Sequence, residues 1–296
     1  MTKLEYTFKT DTLFKMLFVQ HPDLLKNLVA TLLSIPMESI GRFEINNPDI
    51  HPDNLGEKFC SLDINMTVDG QRVDLEIQVK DEGDYPERVL YYWAREYSSS
   101  LPEGGDYKEL PRTIIISIIN FDLFKCPDFH SEFCPLEVKR HEPLSDRMSL
   151  HFFELRKLPQ GRLSAADRLL LWLSLFKVDT EEELAKIIEL EDPVMEQVIN
   201  AYQKITVTPE FRERERQRSL ARHNEAAALR HAREEEREIW RGVVADKDAA
   251  LADKDAEITS QAAEITSQAA ALADKDAALA SQAAEIARLK ARFGEG

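Results

Sequence analysis

The chain has 296 residues, 43% of them hydrophobic, and a formal net charge of −16. That length can bury one good core and a second, smaller unit. No apolar run approaches about 18 residues and no charged-then-apolar leader is present, which excludes a membrane span and points to a soluble, cytoplasmic protein.

Three unevenly spaced cysteines, Cys60, Cys126 and Cys134, suit a reducing compartment better than a disulfide framework. Residues 1 to 150 hold 16 Lys/Arg against 26 Asp/Glu, a net charge near −10. Generic DNA binding rests on cationic neutralisation of phosphates, so this balance argues for metal ions and a local basic patch, or against a nucleic-acid substrate.

Thr10-Asp11 opens a helix with Leu13, Phe14, Leu17 and Phe18 at helical spacing. Asp11 stands where a carboxylate often caps the helix. Pro22 to Leu33 is a second helix with Leu24, Leu25, Leu28 and Leu32 as its buried stripe. Arg42 to Asn46 reads as a short edge strand, and Asn47 to Gly56 as loop. From Phe59 to Lys80, apolar and polar residues alternate on both sides of Asp69-Gly70, the strongest short hairpin signal. Leu62, Ile64, Met66 and Val68 share one face with Val73, Leu75, Ile77 and Val79. The other face carries Ser61, Asp63, Asn65, Asp74, Glu76, Gln78 and Lys80.

A two-residue turn fixes the register. Val68 then faces Gln71, Asn65 faces Asp74, and Asp63 faces Glu76. Carboxylates directly opposed across an antiparallel pair repel, and a broken local rule is where function is expected. A hard cation turns that repulsion into attraction, since Mg²⁺ takes one or two carboxylates together with phosphate oxygens. On spacing alone, the alternative is a wet sheet face softened by Arg72 and Lys80.

Asp81-Glu-Gly-Asp84 marks a turn, and a helix begins near Pro86. Val89, Leu90, Trp93 and Tyr97 are expected to face the core, with Arg88, Tyr92 and Arg95 outward. Packing is a commoner use of such side chains than stacking on nucleic acid. Thr113 to Ile119 is a continuous β-branched run, a strand buried on both faces. A right-handed crossover sets it parallel to the strand carrying Glu76.

Three stretches together carry a resemblance. Asp11-Thr-Leu-Phe14-Lys15-Met-Leu-Phe18, Asp63 with Glu76-Ile-Gln78, and Ile116-Ser-Ile-Ile-Asn120-Phe121 look like the Rpn family of recombination-promoting nucleases, also described as transposases, in the PD-(D/E)XK nuclease superfamily. The likeness covers roughly the first two hundred residues. It implies an α/β (α+β) fold, a PD-(D/E)XK-like core of a mixed central sheet flanked by helices. It also implies Mg²⁺, or Mn²⁺, held by Asp63 and Glu76, with Asp11 turned toward the metal, and DNA as substrate. Position 78 departs from the signature, because Gln78 stands where a lysine is usual. Gln78 would orient water or substitute weakly for the lysine, and Lys80, on the same face, could lend charge.

Cys126-Pro-Asp-Phe-His130-Ser-Glu-Phe-Cys134, with His141 beyond, has neither knuckle spacing nor a second half-site for zinc, and reads as a loop with a core-facing histidine. Ser149 to Leu155 alternates as a strand that covers a sheet edge. Ser164-Ala-Ala-Asp167 resembles a capping box and opens a helix with Leu169, Leu170, Trp172, Leu173 and Phe176. Further helices start at Thr180-Glu-Glu-Glu183 and Asp192-Pro193. Three units follow: 1–160 as nuclease-like core, 161–208 as a helical unit packed on it, and 209–296 as a long charged helix.

That helix opens with Arg212, Arg214, Arg216, Arg218 and Arg222 against Glu213 and Glu215, a local excess of three positive charges. A solvated helix laced with ion pairs is the simpler reading, and a phosphate-contacting helix the other. Leu251, Ile258, Ile265, Leu272, Leu279 and Ile286 then fall seven apart, the signature of a left-handed coiled coil. With Asp255, Ala262, Ala269, Asp276 and Ala283 as partners the seam is half apolar, so a weak homo-oligomer is expected. The near-identical units suggest a copy number that can expand or contract.

The leading functional reading is a Mg²⁺-dependent DNA endonuclease with Asp63, Glu76, Gln78 and Lys80 as catalytic residues. The alternative is a catalytically decayed nuclease fold that acts as an interaction protein through its coiled coil. A transposase proper ranks last, for want of a separate end-recognition domain.

Overall fold

The computed structural model describes residues 2–46, 49–50, 60–61, 63–101 and 104–294. Most of the loop expected over 47–56 lies outside the described residues, as do the side chains of Ser61 and Leu62. The chain divides into two units, Met1–Arg218 and Ser219–Gly296.

The first unit opens with α1 (Asp11–Gln20) and α2 (Pro22–Leu32), followed by β1 (Phe43–Ile45) and a short pair, β2 (Asp49–Ile50) with β3 (Cys60–Ser61). The hairpin is β4 (Ile64–Val68) and β5 (Gln71–Gln78). Its turn has φ of 48° at Asp69 and 81° at Gly70, the doubly positive conformation that favours Asp-Gly. The Asp69 carboxylate accepts from the backbone N–H of Gly41 at 3.0 Å and of Arg42 at 2.7 Å, which ties the turn to the entry of β1. The register is the expected one, with Val68 opposite Gln71 and Asn65 opposite Asp74.

Next come α3 (Tyr85–Ser99), β6 (Thr113–Ile119), β7 (His130–Phe133) and β8 (Met148–Glu154). The six-stranded sheet runs β1-β4-β5-β6-β8-β7, with β5, β6 and β8 parallel and the other neighbours antiparallel. All seven residues of β6 are buried. Two expectations at this edge are corrected. The stretch after Cys126 contributes a strand, β7, and β8 lies inside the sheet with β7 covering it. β7 is short, polar and half exposed, so it carries little hydrophobic alternation.

One face of the sheet builds the main core. Ile64, Met66, Val73, Leu75, Ile77, Ile114, Ile116, Ile118 and Phe153 point into it and meet α1 and α2. The same core takes in α4 (Arg168–Lys177), α5 (Glu181–Ile188) and α6 (Pro193–Thr206). Phe14, Phe18, Trp172 and Phe176 pack ring on ring there. Each such side chain contributes roughly 1.5–3 kcal/mol through burial. Asp167, and not Ser164, caps α4 by accepting from Leu170 N–H. Thr180 and Glu183 form a full capping box on α5, and Asp192 caps α6 behind Pro193. The Lys9 ammonium closes the other end of α4, donating to the Phe176 carbonyl at 2.9 Å and to Asp179 at 2.8 Å.

The opposite face is covered by α3. Tyr85 and Val89 pack on Ile115, Ile119, Leu150 and Phe152, while Trp93 donates to the Thr113 carbonyl at 3.1 Å. Leu90, expected in the core, is exposed, because the helix turns Tyr85, Val89 and Glu96 inward instead.

Phe211 is fully buried against Tyr6 and seats the first turns of α7 (Pro209–Phe293) in the first unit. Arg214 pairs with Glu210 and Arg216 with Glu213, as the solvated-helix reading expects. In the second unit the residues Leu251 to Ile286 of the heptad stripe are each more than half exposed. Among the described residues, no helix is long and apolar enough to cross a membrane.

Candidate active site

The acidic face of the hairpin is buried, which overturns the wet-face alternative. Asn65, Asp74 and Glu76 are all buried. The physical reason is the crossover: the helix that joins β5 to β6 lies across this face, so polar residues of β5 lose water along with apolar residues of β6.

β4 begins at Ile64, and Asp63 bends at its mouth, opposite Glu76. The two residues replace ladder bonds with side chains. Asp63 N–H donates to Glu76 Oε1 at 2.9 Å, and Ile77 N–H donates to Asp63 Oδ2 at 2.9 Å. Each carboxylate is thus fixed by backbone across the strand pair.

Burial pushes the Asp63 carboxyl up to about 7, the Glu76 charge adds to the shift, and Lys15 and the Ile77 N–H oppose it. Glu76 rises to about 6 through burial, opposed by the Asp63 N–H, the adjacent Asp74 carboxyl, and the charges of Lys15 and Arg88. Asp74 is pushed well above the usual range, first by burial, then by Glu76, Asp63 and Glu96. No N–H or O–H of another described residue donates to either Asp74 oxygen. Three carboxyls therefore crowd a dry patch, where burial and mutual repulsion favour protonation or a bound cation.

The surrounding cations come from helices. Lys15 on α1 lies 3.2 Å from Asp63 Oδ1 and 3.5 Å from Asp11 Oδ1, and Arg218 on α7 also pairs with Asp11. Asp11 is not the helix cap; Thr10 holds that position without a side-chain cap bond. Arg72 faces Glu96 at 3.7 Å. Arg88 bonds Glu82 at 3.0 Å and stacks over the Tyr85 ring at 5.0 Å.

Of the residues expected to act, Asp63 and Glu76 are brought together and Asp11 joins them through Lys15. Gln78 donates its amide N–H to the Lys80 carbonyl at 2.8 Å, and Lys80 is exposed. Lys15 and Asp74 are the members whose roles sequence reasoning missed. The available signal for Lys15 was its i,i+4 spacing from Asp11 on an otherwise apolar helix. For Asp74 it was the shared face with Glu76.

The all-oxygen donor set and the donor-poor Asp74 carboxyl suit a hard divalent cation. Among the described residues, no group of three His, Cys, Asp or Glu side chains forms a ready-made metal cage. Among the described residues, the cysteine stretch gathers no group of three possible zinc ligands. Cys134 and His141 are exposed, and Cys126 lies beside Ser131 Oγ at 3.8 Å. His130 instead joins His151 at 3.1 Å, and burial lowers both, His151 to about 4.

The mixed six-stranded sheet flanked by helices fits the α/β core of a nuclease-type family. The family model described as "PD-(D/E)XK nuclease family transposase" matches residues 8–232, and the chain belongs to that family. The match ends before the heptads that start at Leu251. No curated protein and no solved structure matches significantly.

Proposed function

We propose that the chain is a metal-dependent DNA endonuclease of the recombination-promoting type, which hydrolyses phosphodiester bonds. The observation that carries this reading is the reciprocal bonding of Asp63 and Glu76, which holds two carboxylates on one buried face beside donor-poor Asp74. Mg²⁺, or Mn²⁺, bound there would activate water and shield the phosphodiester charge. Asp63 and Glu76 hold the ion, with Asp11 as a further acid at the rim. Gln78, anchored on the Lys80 carbonyl, orients the attacking water through its amide oxygen, and Lys80 adds charge at the strand end. The basic start of α7 offers local attraction for an acidic substrate on an acidic chain. The heptad stripe joins copies into a homo-oligomer, and the protein works in the cytoplasm.

A catalytically decayed fold that serves as an interaction protein is the second reading, favoured by the neutral Gln78 and its closure onto Lys80. Supercoiled-plasmid nicking with Mg²⁺ or EDTA, together with Mn²⁺ calorimetry, separates the two. The nuclease nicks only with metal and loses both nicking and binding in Asp63→Ala. Unchanged nicking by that variant removes the site; no Mn²⁺ binding by the unmodified protein favours decay.

A further inference from the structure

The acid pair touches a cation that the strand signature does not provide. Lys15 Nζ lies between Asp63 Oδ1, at 3.2 Å, and Asp11 Oδ1, at 3.5 Å, with its side chain 30% exposed. It therefore reaches the cluster and keeps an open side toward an incoming ligand. Its backbone is rigidly placed, because the neighbouring Phe14 and Phe18 anchor α1 in the core. Three nearby arginines each face another group: Arg72 pairs with Glu96, Arg88 with Glu82 and the Tyr85 ring, and Arg218 with Asp11 at the rim. Position 78 is a neutral amide turned to the end of its own strand.

Cleavage of a phosphodiester gathers negative charge on the phosphate oxygens and the leaving oxygen. A cation fixed in a partly dry site stabilises that charge far better than one in water. We infer that Lys15 supplies, from α1, the positive charge that position 78 lacks, and that it contacts the phosphate beside Asp63. This assignment rests on the nuclease reading. In the metal-free protein the same ammonium holds Asp11 and Asp63 together.

The test compares the full-length protein with Lys15→Met, Lys15→Arg and the double variant Lys15→Met/Gln78→Lys. Plasmid nicking in Mg²⁺ and Mn²⁺ affinity by calorimetry are measured on each. Lys15→Met is expected to lose about 100-fold in nicking rate, the scale of one preorganised charge. It should bind Mn²⁺ as tightly as before or more so, because a competing cation has gone. Lys15→Arg, or the double variant, should recover at least about tenfold of the loss. Nicking by Lys15→Met within twofold of the unmodified protein overturns the inference. So does a loss that neither charged variant recovers, or Mn²⁺ binding that vanishes along with nicking. If the unmodified protein neither binds Mn²⁺ nor nicks, the nuclease reading itself fails. That result is distinct, because in the other failures the unmodified protein still cuts.

Discussion

Two polar clusters, one half-buried and one buried, sit in one sheet and meet the cost of burial in opposite ways. At the β7–β8 edge, Ser149 donates to Glu132 at 3.0 Å and lies 2.9 Å from His151, which meets His130 at 3.1 Å. Donors and acceptors there balance, and neutral rings stack on Phe153. At the mouth of β4 and β5, Asp63, Asp74 and Glu76 crowd three carboxyls together, and neither Asp74 oxygen has a hydrogen-bond partner among the described residues. A balanced network is finished by folding alone. An unbalanced one takes up protons or a ligand, and on the proposed reading that separates the metal site from the structural cluster.

The largest expected effect that tests this contrast is on activity. Glu76→Gln should lower Mg²⁺-dependent nicking by about 100- to 1,000-fold, measured on supercoiled plasmid, while the fold remains intact by circular dichroism. His151→Ala should leave nicking unchanged and instead cost about 1–3 kcal/mol of stability, because Ser149 and His130 lose a buried partner. Chemical denaturation would read that loss; a stable His151→Ala protein would remove the distinction.

A smaller effect is thermal. Asp74→Asn replaces a carboxyl by a group that donates to Glu76, so the metal-free protein should gain about 1 kcal/mol at neutral pH. A lower melting temperature in EDTA would contradict the donor deficit.

The last contrast is the slope of stability with pH, and it has opposite sign at the two clusters. Asp63, raised from 3.8 to about 7, and Glu76, raised from 4.5 to about 6, bind protons more tightly folded than unfolded. Their contribution is full below the unfolded values and is lost as pH climbs through the folded ones, from about 4 to about 7. His151, lowered from 6.5 to about 4, contributes above its unfolded value and loses that contribution as pH falls between them. Melting curves in EDTA over this range should therefore shift in opposite directions for Asp63→Asn and His151→Gln. Saturating Mg²⁺ should flatten the acid branch alone.

Much of this was legible in the residues. Asp69-Gly70 dictated the hairpin register, and with it the pairing of Asp63 with Glu76. The β-branched run at Thr113 gave the buried parallel strand. The hairpin's polar face reads as wet in isolation, because nothing local in β5 reveals that α3 will cover it. Lys15 was invisible as a partner of Asp63, since the two meet only after α1 docks on the sheet. β7 carries no strand signal in its sequence because its four residues are polar and half exposed, so pairing with β8 defines it more than its own pattern does.

The spacing of Leu251 through Ile286 has a consequence for how this gene product can change. Gaining or dropping one whole seven-residue block alters the helix by about 10.5 Å yet leaves its apolar line nearly in phase. An indel of one or two residues instead swings that line by about 100° per residue and breaks it. Length is thus free to drift in whole steps, while fractional steps are penalised.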